Sequence, residues 1–301
     1  MTLEPITSST PGSELTVMTE AGFAAMRVEE GARVVERNGR FWNETFPGFY
    51  QPIHQIATLR MSEIHRPTWR CWGFRAALTR EDVHAANGSI PVSLMSDVRG
   101  FTERVLGRNR TRDLRRCRRE VEIRRVFDPE IFIREGWPVH LSAKQRVDPG
   151  GVMLESEYRT MMAKRAPDPR RHIVAGFVDG KLAGYLESYA VDGILYGRDL
   201  FVTTEQMRTG IGTGLYLEMI ESGVRTSAIN QICIGPVHME RPGLIAFKRT
   251  LGFSTVDVPA HIAIPAPIGA FMRWRRPAVH YRITGQSPRA TVPATGPVSD
   301  A

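Results

Sequence analysis

The stretch Leu195–Leu217, LYGRDLFVTTEQMRTGIGTGLYL, constrains this chain more than any other. It reads as a strand, a short polar turn and a glycine-rich helix start. Leu195–Val202 is the strand, apolar at Leu195, Leu200, Phe201 and Val202, and Thr203–Thr209 is the turn. Gly210-Ile211-Gly212-Thr213-Gly214 then opens a helix that continues through Leu215–Ile220. Glycines let the backbone turn tightly and leave no Cβ between the backbone N–H groups and a ligand. The orphan N–H groups of a helix start carry partial positive charge and bind phosphate. The stretch therefore reads as a pyrophosphate cradle, and glycines used only for packing are the competing reading. It is not a dinucleotide fingerprint, which needs a third glycine where Leu215 stands. Nor is it a Walker loop, since no Lys-Ser/Thr pair follows.

A chain of 301 residues, 42% hydrophobic and 24% charged, suits one large or two small globular domains. No apolar run approaches the ~18 residues of a membrane span, and the N-terminus lacks the basic start and apolar core of a signal peptide. No membrane partner is expected on these grounds. Cys71, Cys117 and Cys233 are too few and too scattered for a disulfide frame or a zinc site, which implies a cytoplasmic protein without metal. The net charge of +8 is unevenly placed. Between Thr102 and Arg125 ten arginines stand against four acids, a local excess of +6.

Taken in order, residues 1–15 read as a flexible arm and Glu20–Asn38 as a helix. The cluster Phe46-Pro47-Gly48-Phe49-Tyr50-Gln51-Pro52, with Trp42, either lines a pocket or braces irregular backbone. Residues 54–65 predict a short helix, Arg66–Ala76 a strand and Gly88–Met95 another extended piece. In the arginine-rich segment, Arg104, Arg108, Arg112, Arg115, Arg116 and Arg119 recur at three- and four-residue spacing, which a helix gathers on one side. That face is either simply solvated or meets a phosphate-rich partner, and it lacks the aromatics that stack on bases. Beyond Trp137 the text predicts a strand over Val139–Ser142, a helix over Glu155–Lys164 and a strand over His172–Val178. Asp179-Gly180 and Asp192-Gly193 bracket a second strand, Leu182–Val191, as hairpin turns. A strand follows over Ile229–Ile234, then a helix over Pro242–Leu251 capped by Gly252, then an extended run over Ser254–Ile264. Residues 286–301 read as a disordered tail.

The order of hairpin, strand with glycine loop, helix, strand, and helix ending in Leu251-Gly252-Phe253 resembles the GNAT acyltransferase superfamily over residues 137–265. The resemblance implies an α/β (α+β) fold with a mixed, mainly antiparallel sheet flanked by helices. That domain would span residues 137–285, with residues 16–136 an N-terminal additional module, either a degenerate second half or a cap. It also implies acetyl-CoA or another acyl-CoA as co-substrate. The pyrophosphate would lie on Met207, Arg208, Thr209, Gly210, Ile211, Gly212, Thr213 and Gly214. A backbone N–H near Leu200, Phe201 and Val202 would polarise the thioester oxygen, and Phe247 and Lys248 would also contact the cofactor.

Two positions depart from the family pattern. Met207 stands where the family has Gln or Arg, and Lys248 where many members place an acid tyrosine. Phe247-Lys248 followed by Gly252-Phe253, together with the arginine-rich lead-in, also resembles the Fem-like branch, whose members transfer amino acids from aminoacyl-tRNA. That branch usually lacks the glycine loop this chain keeps, so the CoA reading ranks above it. A tRNA partner would meet Arg104–Arg125. In either case a nucleophile, an amine of a small molecule or peptide, attacks the acyl donor directly. Glu187, Asp199 and His238 are the candidate bases, and Tyr216 or Tyr196 the candidate acids. A catalytically silent binding module is the third possibility.

Overall fold

The computed structural model describes residues 15–286; the expected arm and tail lie almost wholly outside them. Val17–Met18 (β1) leads into helix α1, Glu20–Glu29, whose first turn is held by Thr19 Oγ1 accepting from the Gly22 N–H. The helix expected to reach Asn38 stops there, because Gly31 adopts a left-handed φ of 82°. Val34–Arg37 (β2) and Arg40–Phe46 (β3) instead form a hairpin about Asn38-Gly39, both at positive φ. Asn-Gly is the strongest two-residue hairpin signal in sequence, and here it overrides the uneven helical periodicity before it. Phe49–Pro52 (β4) and Thr58–Leu59 (β5) follow, and only a single 3-10 turn, Met61–Glu63, replaces the short helix expected over 54–65.

The strand expected over Arg66–Ala76 begins late, at Gly73–Leu78 (β6). Before it, the Arg66 guanidinium donates to the carbonyls of Cys71 at 2.8 Å and Trp69 at 2.9 Å and holds that segment as a loop. Gly88–Met95 (β7) is extended as expected. The arginine segment forms α2, Arg108–Glu120, followed by β8, Glu122–Arg125. Pro129–Ile131 (α3) continues through a π-helical turn into α4, Trp137–Val147. The strand expected at Val139–Ser142 is therefore part of a helix. Pro138 sits at its start, where a missing N–H costs nothing, and Val139, His140 and Ala143 turn inward at helical spacing. Helix α5 is Glu155–Arg165.

The remaining elements fall where the sequence places them. They are β9 (His172–Val178), β10 (Lys181–Val191), β11 (Ile194–Val202), α6 (Ile211–Arg225), β12 (Gln231–Pro236), α7 (Pro242–Arg249) and β13 (Ser254–Ala263). Two short helices, α8 (Ala266–Arg275) and α9 (Pro277–Thr284), end the described chain.

The residues gather into two compact units. One comprises the described residues up to Phe23, Ser93–Gly235 and Ala246–Ser254. Its strands run in the order β12-β11-β10-β9-β8, antiparallel except for the parallel β11–β12 pair, with β1 parallel to β10. Helix α6 packs Ile211, Leu215, Met219 and Ile220 onto one face of this sheet. On the other face Phe132, Val139, Tyr158 and Met162 pack against Ile173, Ala175 and Tyr185. The other unit comprises Ala24–Val92, Pro236–Ile245 and the described residues from Thr255 onward. Its strands β2, β3, β4, β6 and β13 lie side by side, with β5 also on β6. Trp42, Tyr50, Leu59 and Leu78 fill its core, so the aromatic cluster near Phe46 braces backbone more than it lines a pocket.

Candidate active site

Strands β11 and β12 pair over only three residues each, Ile194–Tyr196 with Gln231–Cys233, although both run further. Beyond that point they part. On the other side of β11 the ladder with β10 steps from Glu187↔Asp199 to Ser188↔Gly197, so Arg198 is a bulge residue. A bulge bends its strand and re-aims the side chains around it. The gap so opened lies within the first unit, and several predicted site residues border it.

Lys248 closes the gap from α7. Its side chain is buried at 7% exposure, and Nζ donates to the Ile234 carbonyl at 2.7 Å, just past the last paired residue of β12. Burial lowers its pKa to about 8. Beside it, Phe247 packs on the Tyr216 ring at 5.8 Å, and the Arg110 guanidinium covers Phe247 at 5.0 Å. The Tyr216 phenol is pushed up to about 12, first by burial and then by the negative charge of Asp199, so it stays protonated. Asp199 keeps a half-exposed carboxylate, paired only with Arg198 Nε at 3.2 Å among the described ion pairs.

Glu187 is in a different state. It is 2% exposed and clasped by the buried Arg171, by Arg165 Nη1 at 3.2 Å and by Arg198 Nη1 at 3.8 Å. Removing so buried a carboxylate would leave the buried Arg171 guanidinium without this counter-charge. Tyr196 is buried and stacked on Tyr189 at 5.4 Å, inside the core. His238 belongs to the other unit, where Nδ1 meets Glu240 Oε1 at 3.1 Å and Arg282 Nη1 at 2.9 Å.

One residue of this face escaped the sequence reading. His140 on α4 is 2% exposed, and neither ring nitrogen has a hydrogen-bond partner among the described residues. Its ring lies 4.7 Å from Phe201, 5.1 Å from Tyr158 and 5.7 Å from Trp137. Burial lowers its pKa, Lys144 adds to that, and the charge of Asp199 opposes both. The signal available was Trp137 and His140 at i, i+3, which is legible only once the segment is known to be helical.

The glycine turn is built as the sequence suggests, but its surroundings are not. Glu205–Thr209 winds into a 3-10 turn, Gly210 takes φ of 80°, and α6 begins. Thr209 Oγ1 accepts from the Ile211 N–H at 3.4 Å, and Met207 is exposed at 54%. Helix α2 lies directly against this turn. A Cβ at Gly210 would overlap the Asp113 carbonyl oxygen, and one at Gly214 would meet Cys117 Sγ. Arg116 Nη1 donates to the Arg208 carbonyl at 2.7 Å, and Arg110 Nη1 to Thr213 Oγ1 at 3.3 Å. At Gly212 an added Cβ would meet only Leu200 Cδ2, at 3.7 Å. Two of the three glycines thus admit a helix backbone and a cysteine.

Along α2, Leu114 and Cys117 face inward. Arg118 pairs with Glu103, and Arg110 with Asp113 at 3.0 Å. Arg108, Arg112, Arg115 and Arg119 are exposed, and none of them has an acidic partner among the described residues. Their spacing of i, i+4, i+7, i+11 draws one row about 16 Å long on the helix surface. No group of three His, Cys, Asp or Glu able to hold a metal occurs among the described residues.

No family model matches the sequence, and no curated protein matches it either. Solved structures do match by shape. The C-terminal domain (DUF2156) of a putative lysylphosphatidylglycerol synthetase from Agrobacterium fabrum superposes with a TM-score of 0.58 at 11% identity, over 87% of this chain and 93% of that one. FemX superposes with a TM-score of 0.56 at 9% identity, over 88% and 96%. L-PGS from Bacillus licheniformis gives 0.54 at 11% identity, over 89% and 93%. At such identities the likeness is one of fold. It places the chain in the GNAT-like class of mixed α/β folds, mostly antiparallel and flanked by helices, as the sequence implied.

Proposed function

We propose that this chain is an acyltransferase in which a nucleophile attacks an activated acyl group directly, and that the donor is an aminoacyl ester carried by tRNA. The observation that carries the donor is the row of unpaired arginines, Arg108, Arg112, Arg115 and Arg119, on a helix laid across the glycine turn. Where the sequence alone ranks CoA first, this packing reverses the order. The glycines are used by α2, and the free positive charge sits on the helix that covers them. A row of guanidiniums suits successive phosphates of an RNA backbone. The likeness in fold to FemX and to L-PGS over nearly the whole chain points the same way.

In this reading the carbonyl to be attacked lies in the gap between β11 and β12. The acceptor nucleophile bonds to the carbonyl carbon, the ester C–O bond breaks, and the released ribose hydroxyl takes a proton. The Lys248 ammonium, held at the Ile234 carbonyl on the β12 side of that gap, stabilises the oxygen as it becomes anionic. Asp199, half-exposed and beside the bulge, receives the acceptor's proton directly or through water. Glu187 holds Arg165, Arg171 and Arg198 in place.

Acyl-CoA is the second reading, favoured by the parting of β11 and β12 and by the open approach to Gly212. Filter retention of aminoacyl-tRNA over a salt series separates the two. The expected result is salt-dependent retention whose log–log slope shallows by roughly 2 to 3 when Arg112, Arg115 and Arg119 are replaced by glutamine. Absence of retention at low salt, together with a thermal shift in millimolar acetyl-CoA, sinks the tRNA reading in favour of CoA.

A further inference from the structure

Helix α8 in the second unit is ten residues long and has no buried residue. Its half-buried side chains, Ile268 and Met272, recur at i, i+4. Pro267, Ala270, Phe271 and Trp274 are exposed and recur at i, i+3, i+4, i+7, so they form one apolar stripe turned to solvent. Phe271 is 58% and Trp274 74% exposed, with ring centroids 6.4 Å apart. Arginines flank the stripe: Arg273, Arg275 and Arg276 are all exposed, and the Arg275 guanidinium sits 5.0 Å from the Trp274 ring. No acid occurs in the sequence between Asp257 and Asp300, so nothing local offsets this charge.

We propose that α8 docks on an anionic lipid surface, with Phe271 and Trp274 entering the headgroup–acyl boundary and Arg273, Arg275 and Arg276 meeting lipid phosphates. A short helix with aromatics on one stripe and arginines around it has the chemistry of an interfacial segment. Trp is at home where one side is apolar and the other wet. The size of the stripe argues for lipid over a protein partner. Two aromatic side chains bury about 300–500 Å², well short of the roughly 800 Å² per partner of a stable protein interface. No helix among the described residues is long and apolar enough to cross a membrane. That fact, and the sequence expectation of no membrane partner built on a missing span, do not bear on docking from one side. The inference does not depend on the acyl donor, and its test reads binding only.

The full chain is sedimented with vesicles of phosphatidylcholine alone and of phosphatidylcholine with phosphatidylglycerol in equal parts. Binding to the anionic vesicles that weakens with salt is expected. F271S/W274S lowers the partition coefficient at least about tenfold. R273Q/R275Q/R276Q lowers it roughly 100-fold on anionic vesicles, at about fivefold per arginine. All five positions tested are exposed to solvent, so unchanged thermal melts should accompany both variants. Three outcomes overturn the proposal. The first is no sedimentation of the parent chain with anionic vesicles at low salt. The second is binding that depends on the arginines but not on Phe271 and Trp274, which marks a general polyanion site. The third is self-association abolished by F271S/W274S without vesicle binding, which marks an interface between copies.

Discussion

Lys248 is the residue on which the chemistry of the gap turns. A lysine at 7% exposure, its ammonium bonded to the Ile234 carbonyl, holds its proton less firmly than usual because it is buried, with a pKa of about 8. If the ammonium stabilises the anionic carbonyl oxygen, transfer falls as pH rises through about 8, and Lys248→Met lowers kcat by about 10²–10³ with little change in donor binding. Stability moves the other way. The folded pKa lies below the unfolded value of 10.5, so the unfolded chain binds the extra proton between the two. The folded state is therefore penalised below about pH 8, and the penalty is relieved as pH rises toward 10.5. The parent-minus-Lys248→Met difference in unfolding free energy should rise with pH over that window by up to about 3 kcal/mol. Taking the difference also removes the opposing contribution of the buried Cys117 and Cys233 thiols, both pushed up to about 11. A flat difference in urea titrations from pH 7 to 10 counts against a buried, protonated Lys248.

At the scale of elements, the sequence shows both the glycine turn and the arginine-rich helix but not that one packs on the other. Gly210 serves two needs at once: a φ of 80° and the close approach of the α2 backbone at Asp113. Gly210→Ala therefore meets both a left-handed backbone penalty and a steric overlap, about 2–4 kcal/mol together. Gly212→Ala has neither and should fall within about 1 kcal/mol in the same denaturant titration. Equal effects at the two positions would remove the packing account of the turn. The same packing makes α2 legible in hindsight. Arginine spacing in sequence gathers six residues on one side, but only the structure shows that Arg104 lies before α2 in a 3-10 turn and that Arg116 is bonded to the Arg208 carbonyl, which leaves the row of four.

At the scale of the whole molecule, each unit carries a buried histidine that resists protonation. Burial lowers His172 to about 3, helped by Arg125 and Arg225, and lowers His54 to about 4, helped by Arg40. Both would titrate near 6.5 once unfolded, so the unfolded state takes up protons that the folded state refuses. Stability is full above about pH 6.5 and falls with acid by up to about 1.4 kcal/mol per pH unit for each group. His172→Gln, which retains a polar partner for Ser188, should flatten the loss between pH 6.5 and 4.5 while lowering stability at pH 7. An unchanged acid slope in this variant would show that His172 is not the group responsible.

The sequence by itself determines the strands, turns and helices from His172 to Phe253, because their signals are local. Asp-Gly pairs set hairpins, a polar turn with glycines starts a helix, and continuous apolar runs such as Ile173–Val178 mark strands buried on both faces. It also determines the overall class of fold, since that order of elements admits few arrangements. Where two local signals compete, the stronger one wins, as the Asn38-Gly39 turn does within Glu20–Asn38 and Pro138 at the helix start does ahead of Val139–Ser142. The state of each site residue is settled only by tertiary contacts. Glu187 and Asp199 are both acids on neighbouring strands, yet one is clasped by three buried or half-buried arginines and the other opens to solvent. The glycine turn is the plainest case. Its backbone was legible from residues 203–214, but what lies against it is a helix nearly a hundred residues earlier in the chain. Charge compensation and close packing depend on distance in space, and sequence separation carries no information about it.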